Sequence, residues 1–128
     1  MNRLDTSGNV VLLTGLDGST RHQIYISASA ELVGVSGGSA LLASSLAAGK
    51  HIITLVINGA TSSLRVDGVI VASGTLDDSI AATGLTISAL WTGGNYAFQD
   101  IYGIVHAEGV EKVDDIESYL AGLTGVTI

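Results

Sequence analysis

One loop of the chain combines residue types that suit the recognition of a sugar. Trp91 is the only tryptophan, and the run Thr-Gly-Gly-Asn-Tyr at 92–96 follows it directly. An aromatic ring can stack on a sugar ring while an amide forms hydrogen bonds with its hydroxyl groups, so Trp91, Asn95 and Tyr96 are candidate carbohydrate-binding residues. The alternative, which is the commoner role of large aromatic side chains, is that Trp91 and Tyr96 close one end of the core.

The histidines do not predict a metal centre. His22, His51 and His106 are dispersed along the chain and lack the spacing of a zinc ligand set. The chain has no cysteine, which excludes disulfide bonds, thiolate metal sites and cysteine nucleophiles. Structural roles are therefore expected for all three histidines.

The acidic residues do not predict a glycoside hydrolase. Such enzymes hold two carboxyl groups about 5–9 Å apart, which on a strand means positions i and i+2 or i+4. Glu31, Asp100 and Glu108 are isolated acids, and the acidic residues between 108 and 117 are expected to form a solvated helix face. No arrangement of nucleophile, base and acid can be asserted, so we expect a protein that is not an enzyme.

No cofactor is expected, and calcium is the one weak alternative. Calcium takes six to eight oxygen ligands. Asp17 with Ser19, or Asp77 with Asp78, would supply some of them. Each aspartate is explained equally well by the preference of this residue for turns.

The composition predicts that part of the surface is covered by other subunits. Charged residues make up 13% of the 128 residues and hydrophobic residues 47%, whereas about a quarter of a typical globular chain is charged. With so few charged side chains, much of the surface of a monomer would be apolar and poorly solvated. This favours a homo-oligomer or contact with other proteins. The alternative is a monomer whose surface is solvated by Ser, Thr and Gly.

Charge and hydropathy also exclude classes of partner. The net charge is −7 and the five basic residues are scattered, which argues against nucleic-acid binding. No apolar run approaches the ~18 residues of a membrane-spanning helix. The N-terminal residues contain one early arginine and only a five-residue apolar run, which does not resemble a secretory signal.

The clearest structural signal is Asp67-Gly68 between two short apolar runs. A two-residue type I′ turn needs positive φ at both positions, and Asp followed by Gly tolerates this. The turn predicts that Leu64–Val66 and Val69–Ser73 form an antiparallel hairpin. Just before it, Ile52–Asn58 is β-branched and almost continuously apolar, which predicts a central strand covered on both faces.

Other strands are predicted on both sides of this hairpin, and a helix follows them. The strand candidates are Val10–Thr14, Arg21–Ser27, Glu31–Val35, Leu85–Leu90 and Tyr96–Ala107, while Ala40–Leu46 is ambiguous between a strand and a helical turn.

The spacing of the apolar residues changes near the C-terminus. Apolar residues recur every three or four positions, which predicts one buried helix face, and Gly122 or Gly125 can end this helix. The residues of that face are Val110, Val113, Ile116, Leu120 and Leu123.

From residue 44 onward, the order of these motifs resembles a laminin-G-like, concanavalin-like jelly-roll domain. The resemblance covers about 80 residues. It is carried, in this order, by Ala48–His51 and the strand that follows, by the apolar-x-apolar-Asp-Gly hairpin at Leu64–Val71, by Leu85–Ile87, by Tyr96–Val105, and by the helix around Ile116–Leu120, which is similar to the helix of bacterial and phage members.

The resemblance implies an all-β antiparallel sandwich with one C-terminal helix, built as a single domain of residues 1–128. A jelly roll usually has more strands than this chain offers before residue 44. The N-terminal strands are therefore expected to be missing, shortened or supplied by a neighbouring chain, which would leave an exposed sheet edge.

The resemblance also implies a function. It points to a non-enzymatic structural or adhesion module of a phage virion, either a tail fibre or a capsid accessory protein, with a second copy or other virion subunits as partners. The alternative is a carbohydrate-binding module of a bacterial extracellular protein, which would act at the cell surface on glycans.

Overall fold

The computed structural model describes residues 10–14, 21–47, 49–79, 86–87, 103–105, 107 and 109–128. These residues form eight strands, two 3₁₀ turns and one α-helix. The strands are β1 (Val10–Thr14), β2 (His22–Ile26), β3 (Glu31–Ser36), β4 (Ser39–Ser45), β5 (Ile53–Val56), β6 (Ser62–Val66), β7 (Val69–Gly74) and β8 (Thr86–Ile87); the 3₁₀ turns are Gly59–Thr61 and Val110–Lys112, and the helix α1 is Val113–Thr124.

The strands form two sheets in which every neighbouring pair is antiparallel. The larger sheet has the order β4-β3-β2-β1-β8 and the smaller one the order β5-β6-β7. Tight connections join β2 to β3, β3 to β4 and β6 to β7, while the pairing of β1 with β8 joins distant parts of the chain. The predicted mainly β, antiparallel class with one C-terminal helix is confirmed.

The turn between β6 and β7 has the predicted geometry. Asp67 has φ +50° and Gly68 has φ +79°, as a type I′ turn requires. Val66 and Val69 are paired directly on either side of it. The same turn is tied to the start of β5, because the Asp67 N–H donates to the carbonyl of Ile52 at 2.9 Å.

Both sheets contribute to one apolar core. Its buried members are Ile26, Leu32, Leu41 and Ala43 from the larger sheet, Leu64 from the smaller sheet, and Leu76 after β7. The sheets approach closely at Gly34 in β3, where a Cβ atom would lie 2.6 Å from Cδ1 of Leu55. Only glycine fits this contact without displacement, so the position sets how closely β3 can approach the smaller sheet.

The structure decides one open strand assignment and corrects another strand prediction. The ambiguous segment Ala40–Leu46 is a strand, β4. The strand expected over Ile52–Asn58 is only Ile53–Val56, and among the described strands it ends the order β5-β6-β7 rather than lying at its centre. Its side chains are half-buried on both faces of the strand. This explains why its sequence is continuously apolar although the strand is not central in the sheet.

The long strand predicted over Tyr96–Ala107 lies mostly outside the described residues. The described residues of this range, 103–105 and 107, are not in a strand.

The C-terminal helix is present, but its apolar face is only partly covered. Gly125 has φ +73°, and its N–H donates to the carbonyl of Ala121 at 2.9 Å, so the predicted glycine cap is confirmed. Val110 and Leu123 were expected on the buried face and are instead exposed. In the described part of the chain, no helix has the length and hydropathy to cross a bilayer.

Replacing Gly68 with alanine tests the turn. For alanine the left-handed region is about 1–2 kcal/mol less favourable in conformational free energy. Its Cβ atom would also lie 3.1 Å from Cβ of Ile128. We therefore expect Gly68→Ala to lower the free energy of unfolding by about 1–2 kcal/mol, measured by urea denaturation. The matched control is Gly122→Ala, an open position within α1, which should raise it by up to about 1 kcal/mol. Equal stability of Gly68→Ala and wild type would contradict the turn assignment.

Candidate functional site

The candidate sugar-binding residues Trp91, Asn95 and Tyr96 lie outside the described residues. Asp17 and Ser19, the first candidate calcium pair, also lie outside them. Both hypotheses about these residues therefore stay predictions. The second calcium pair, Asp77 and Asp78, is described and shows what its carboxylates contact.

The Asp77 carboxylate closes a local turn after β7. Its Oδ1 atom accepts hydrogen bonds from the Ser79 N–H at 2.9 Å and from the Ser79 hydroxyl at 2.6 Å. These two bonds lower the pKa of Asp77 below its ordinary value of 3.8. Within the described residues, no group of three His, Cys, Asp or Glu side chains is arranged to hold a metal ion.

A serine in a hydrolase-like sequence pattern has a structural role. Gly34 to Gly38 matches the Gly-x-Ser-x-Gly pattern, with Ser36 at the nucleophile position. In α/β-hydrolases this serine is exposed at a turn from a strand into a helix. Here Ser36 is fully buried at the end of β3, the chain turns into another strand, and the Ser36 hydroxyl donates to the carbonyl of Asp77. The geometry is not that of a nucleophile.

His51 joins the start of β5 to the hairpin turn. Its Nδ1 lies 2.8 Å from Oδ2 of Asp67, and its Nε2 lies 2.9 Å from the carbonyl oxygen of Ala47. Oδ1 of Asp67 accepts the Ile52 N–H at 2.8 Å. Both ring nitrogens of His51 are thus directed at acceptors within the chain, and neither is directed at a substrate position.

Arg65 lies at the centre of an ion-pair cluster formed with Asp114 and Glu117. Its Nε and one terminal amino group donate to the two carboxylate oxygens of Glu117 at 2.9 and 2.8 Å. The same amino group also donates to Asp114 and to the carbonyl of Gly68, each at 3.0 Å. The hydrogen bonds that Arg65 donates to Glu117 raise the pKa of Arg65 above its ordinary value, so its positive charge is permanent.

The burial of Glu117 was missed by the sequence reasoning. The residue is 1% exposed, although it was expected on the solvated face of the helix. A signal existed, because Glu117 is four residues after Val113 and three before Leu120, and both of these are on the covered side of α1. A buried glutamate needs an opposite charge, and Arg65 from β6 supplies it.

A small cleft opens beside the end of β4. It has a volume of about 190 Å³ and apolar walls that include Leu32, Val66 and Val71, with Ser45 and His51 on its polar side. Pockets for small-molecule ligands usually measure about 300 Å³ or more. The cleft therefore suits a single side chain better than a complete ligand.

The most unusual surface feature lies next to this cleft. Three consecutive apolar residues at the start of β7 are exposed: Val69 by 64%, Ile70 by 55% and Val71 by 41%. We call these three residues the edge strip. Neither β7 nor the nearby strand β4, on which Leu42 is also exposed, contains a charged residue.

Fold and contacts together define an antiparallel two-sheet protein whose C-terminal helix is held by a buried ion pair. Comparisons with protein-family models, with curated proteins and with solved structures found no match to this chain.

Replacing Glu117 tests the ion-pair cluster. Glu117→Gln keeps the shape but removes the charge that neutralises Arg65, and breaking a buried pair costs about 3 kcal/mol or more. We expect that loss in the free energy of unfolding, measured by urea denaturation. The matched control is Asp114→Asn, because the Asp114 side chain is 87% exposed and an exposed pair contributes less than about 1 kcal/mol. Equal effects of the two variants would contradict the dominant role of Glu117.

Replacing Ser79 tests the cause of the lowered pKa of Asp77. Because that pKa is depressed in the folded chain, the turn contributes its stability fully above 3.8 and loses it as the pH falls through the lowered value. Ser79→Ala removes the hydroxyl donor and should move the pKa of Asp77 back toward 3.8. The measurement is an NMR titration of the side-chain carboxyl carbon of Asp77 in the variant and in the wild type. An unchanged Asp77 titration would show that the hydroxyl does not cause the shift.

Proposed function

We propose that the chain is a non-enzymatic structural or adhesion module of a phage virion, acting as part of a tail fibre or as a capsid accessory protein. The observation that carries the proposal is the edge strip, an exposed apolar segment on a strand without charges. Such a surface is expected of a protein that works by contacting other proteins.

The polar groups support a non-enzymatic role. Ser36, His51, Asp67 and Arg65 have the residue types of catalytic groups, but each is engaged in contacts that hold one element of the fold to another. A catalytic group needs a free donor or acceptor directed at a substrate. Each of these four side chains is directed at a partner within the chain.

The arrangement of the sheets supports a sandwich as the finer description of the fold. Leu64 of the smaller sheet packs in one cluster with Ile26 and Leu32 of the larger one, as expected when two sheets lie face to face. The sequence order of hairpin and C-terminal helix agrees with the laminin-G-like resemblance. A jelly-roll topology of that family is part of this proposal.

The carbohydrate-binding alternative depends on Trp91, Asn95 and Tyr96. These residues lie outside the described part of the chain, so no contact favours it over the structural role.

Localisation on particles tests the proposal. Virions are purified from a lysate of the source by density-gradient centrifugation and labelled with gold-coupled antibody raised against the purified chain. We expect label on tails or capsid surfaces, and loss of this label when soluble chain is added as a competitor. Recovery of the antigen only in particle-free fractions would contradict the virion role.

A further inference from the structure

We propose that Asn58 is a site of spontaneous deamidation, in which the backbone nitrogen of Gly59 displaces the side-chain amide, and that the hydroxyl of Thr61 controls the rate. This modification is independent of the proposed structural role. Three features carry it: the sequence Asn-Gly, the exposure of Asn58 in the turn between β5 and β6, and the hydrogen bonds that hold this turn closed.

The reaction consumes only water and a base from solution. The Gly59 nitrogen gives up its proton to the base and forms a bond to Cγ of Asn58. The bond from Cγ to Nδ2 breaks, and the nitrogen keeps the electron pair, takes up a proton and leaves as ammonia. Water then opens the resulting succinimide at one of its two carbonyl groups. One opening gives aspartate, and the other gives isoaspartate, in which the main chain runs through the side-chain carboxyl carbon.

Only one of the four asparagines of the chain is followed by glycine. Asn2, Asn9 and Asn95 are followed by arginine, valine and tyrosine, whose side chains hinder the approach of the next backbone nitrogen to Cγ. Glycine has no Cβ atom and gives the backbone its widest conformational range. Asn58 is exposed, so that base and water reach it. Sequence and exposure thus select Asn58.

The Asp67-Gly68 turn has the same spacing of groups, but its contacts oppose the reaction. An ionised carboxylate is a poor electrophile. Both oxygens of Asp67 are also engaged, one with the Ile52 N–H and the other with His51. Asn58 instead presents a neutral amide on an exposed turn, and it is therefore the more reactive of the two positions.

In the closed turn the reacting atoms of Asn58 and Gly59 are held apart. Asn58 has ψ +54°, which places the Gly59 nitrogen on the far side of the Cα–C bond from the Asn58 side chain. Closure of the ring requires rotation about this bond, and the Asn58 carbonyl turns with it. That carbonyl accepts hydrogen bonds from the N–H and from the hydroxyl of Thr61, each at 3.0 Å. The turn must therefore open locally before the reaction occurs.

The Thr61 hydroxyl is a positioning group that binds both ends of the reacting unit. It donates to the Asn58 carbonyl, and it accepts a hydrogen bond from Nδ2, the leaving nitrogen, at 2.7 Å. Thr61 is itself exposed, so its hydroxyl can be removed without disturbing the core. Loss of these two hydrogen bonds favours the open turn and should accelerate the reaction.

The product changes the electrostatics of the turn. Gly59 lies beside the Asp78 carboxylate, since a Cβ atom at Gly59 would be 2.9 Å from Oδ2 of Asp78. Aspartate or isoaspartate at position 58 adds a negative charge to the residue before Gly59, and like charges repel. The new carboxylate also lacks the N–H donor that binds Thr61. Both effects favour the open turn, so the modification loosens the connection between β5 and β6.

Peptide mapping by mass spectrometry after incubation in mildly alkaline buffer tests the proposal. Deamidation replaces an amide by a carboxyl group and changes the peptide mass, whereas isomerisation of Asp67 does not. We expect the wild type to accumulate aspartate and isoaspartate at position 58 faster than at the other asparagines. Thr61→Val keeps the side-chain shape without the hydroxyl and should raise the rate constant by about three- to tenfold. The matched control is Thr61→Ser, which keeps the hydroxyl and should react at close to the wild-type rate.

Circular dichroism and urea denaturation identify the variants that fold as the wild type does, and only these are compared. A folded wild type that stays unmodified at position 58, while the chain unfolded in guanidinium chloride reacts there, overturns the proposal. Thr61→Val that reacts at the wild-type rate overturns the control by the hydroxyl. The same conclusion follows if Thr61→Ser reacts as fast as Thr61→Val.

Discussion

The register of the β6–β7 hairpin determines which side chains of the smaller sheet meet the core and which meet the helix. Positive φ at Asp67 and Gly68 makes the connection two residues long and pairs Val66 with Val69. Leu64 then points into the core between the sheets, and its neighbour Arg65 points to the opposite face, where Glu117 lies. A shift by one residue would exchange these faces, because side chains alternate along a strand. It would leave Arg65 in the apolar core and Glu117 without a partner.

The contacts of Arg65 show the structural role of one of the few charged residues in this chain. A buried ion pair gains little net stability over apolar packing, since desolvation offsets the attraction between the charges. Removing one member of the pair, however, strongly lowers the free energy of unfolding, because the other charge is left buried and unpaired. The pair therefore specifies where α1 lies on the sheet more than it stabilises the fold. The apolar side chains of α1 support this reading, since Tyr119 and Leu123 remain exposed.

The aspartate of the turn has a second role beyond its φ angle. Both oxygens of Asp67 are engaged, one with the Ile52 N–H and the other with His51. The turn between β6 and β7 is thus bonded to the residues that precede β5. These contacts hold the three strands of the smaller sheet together. Among the described strands, β7 is one of the two outer strands of this unit, and it contains no charged residue.

Much of the local structure followed from the sequence. The turn at Asp67-Gly68, most strands and the glycine cap at Gly125 depend on φ preferences and on periodicity, which neighbouring residues determine. The edge position of β5 and the pairing of β1 with β8 depend on contacts between distant residues, and no local pattern encodes them. The same holds for the candidate site. The spacing of Glu117 from Val113 and Leu120 indicates the covered side of α1, but only the approach of Glu117 to Arg65, 52 positions away, makes burial of its charge tolerable.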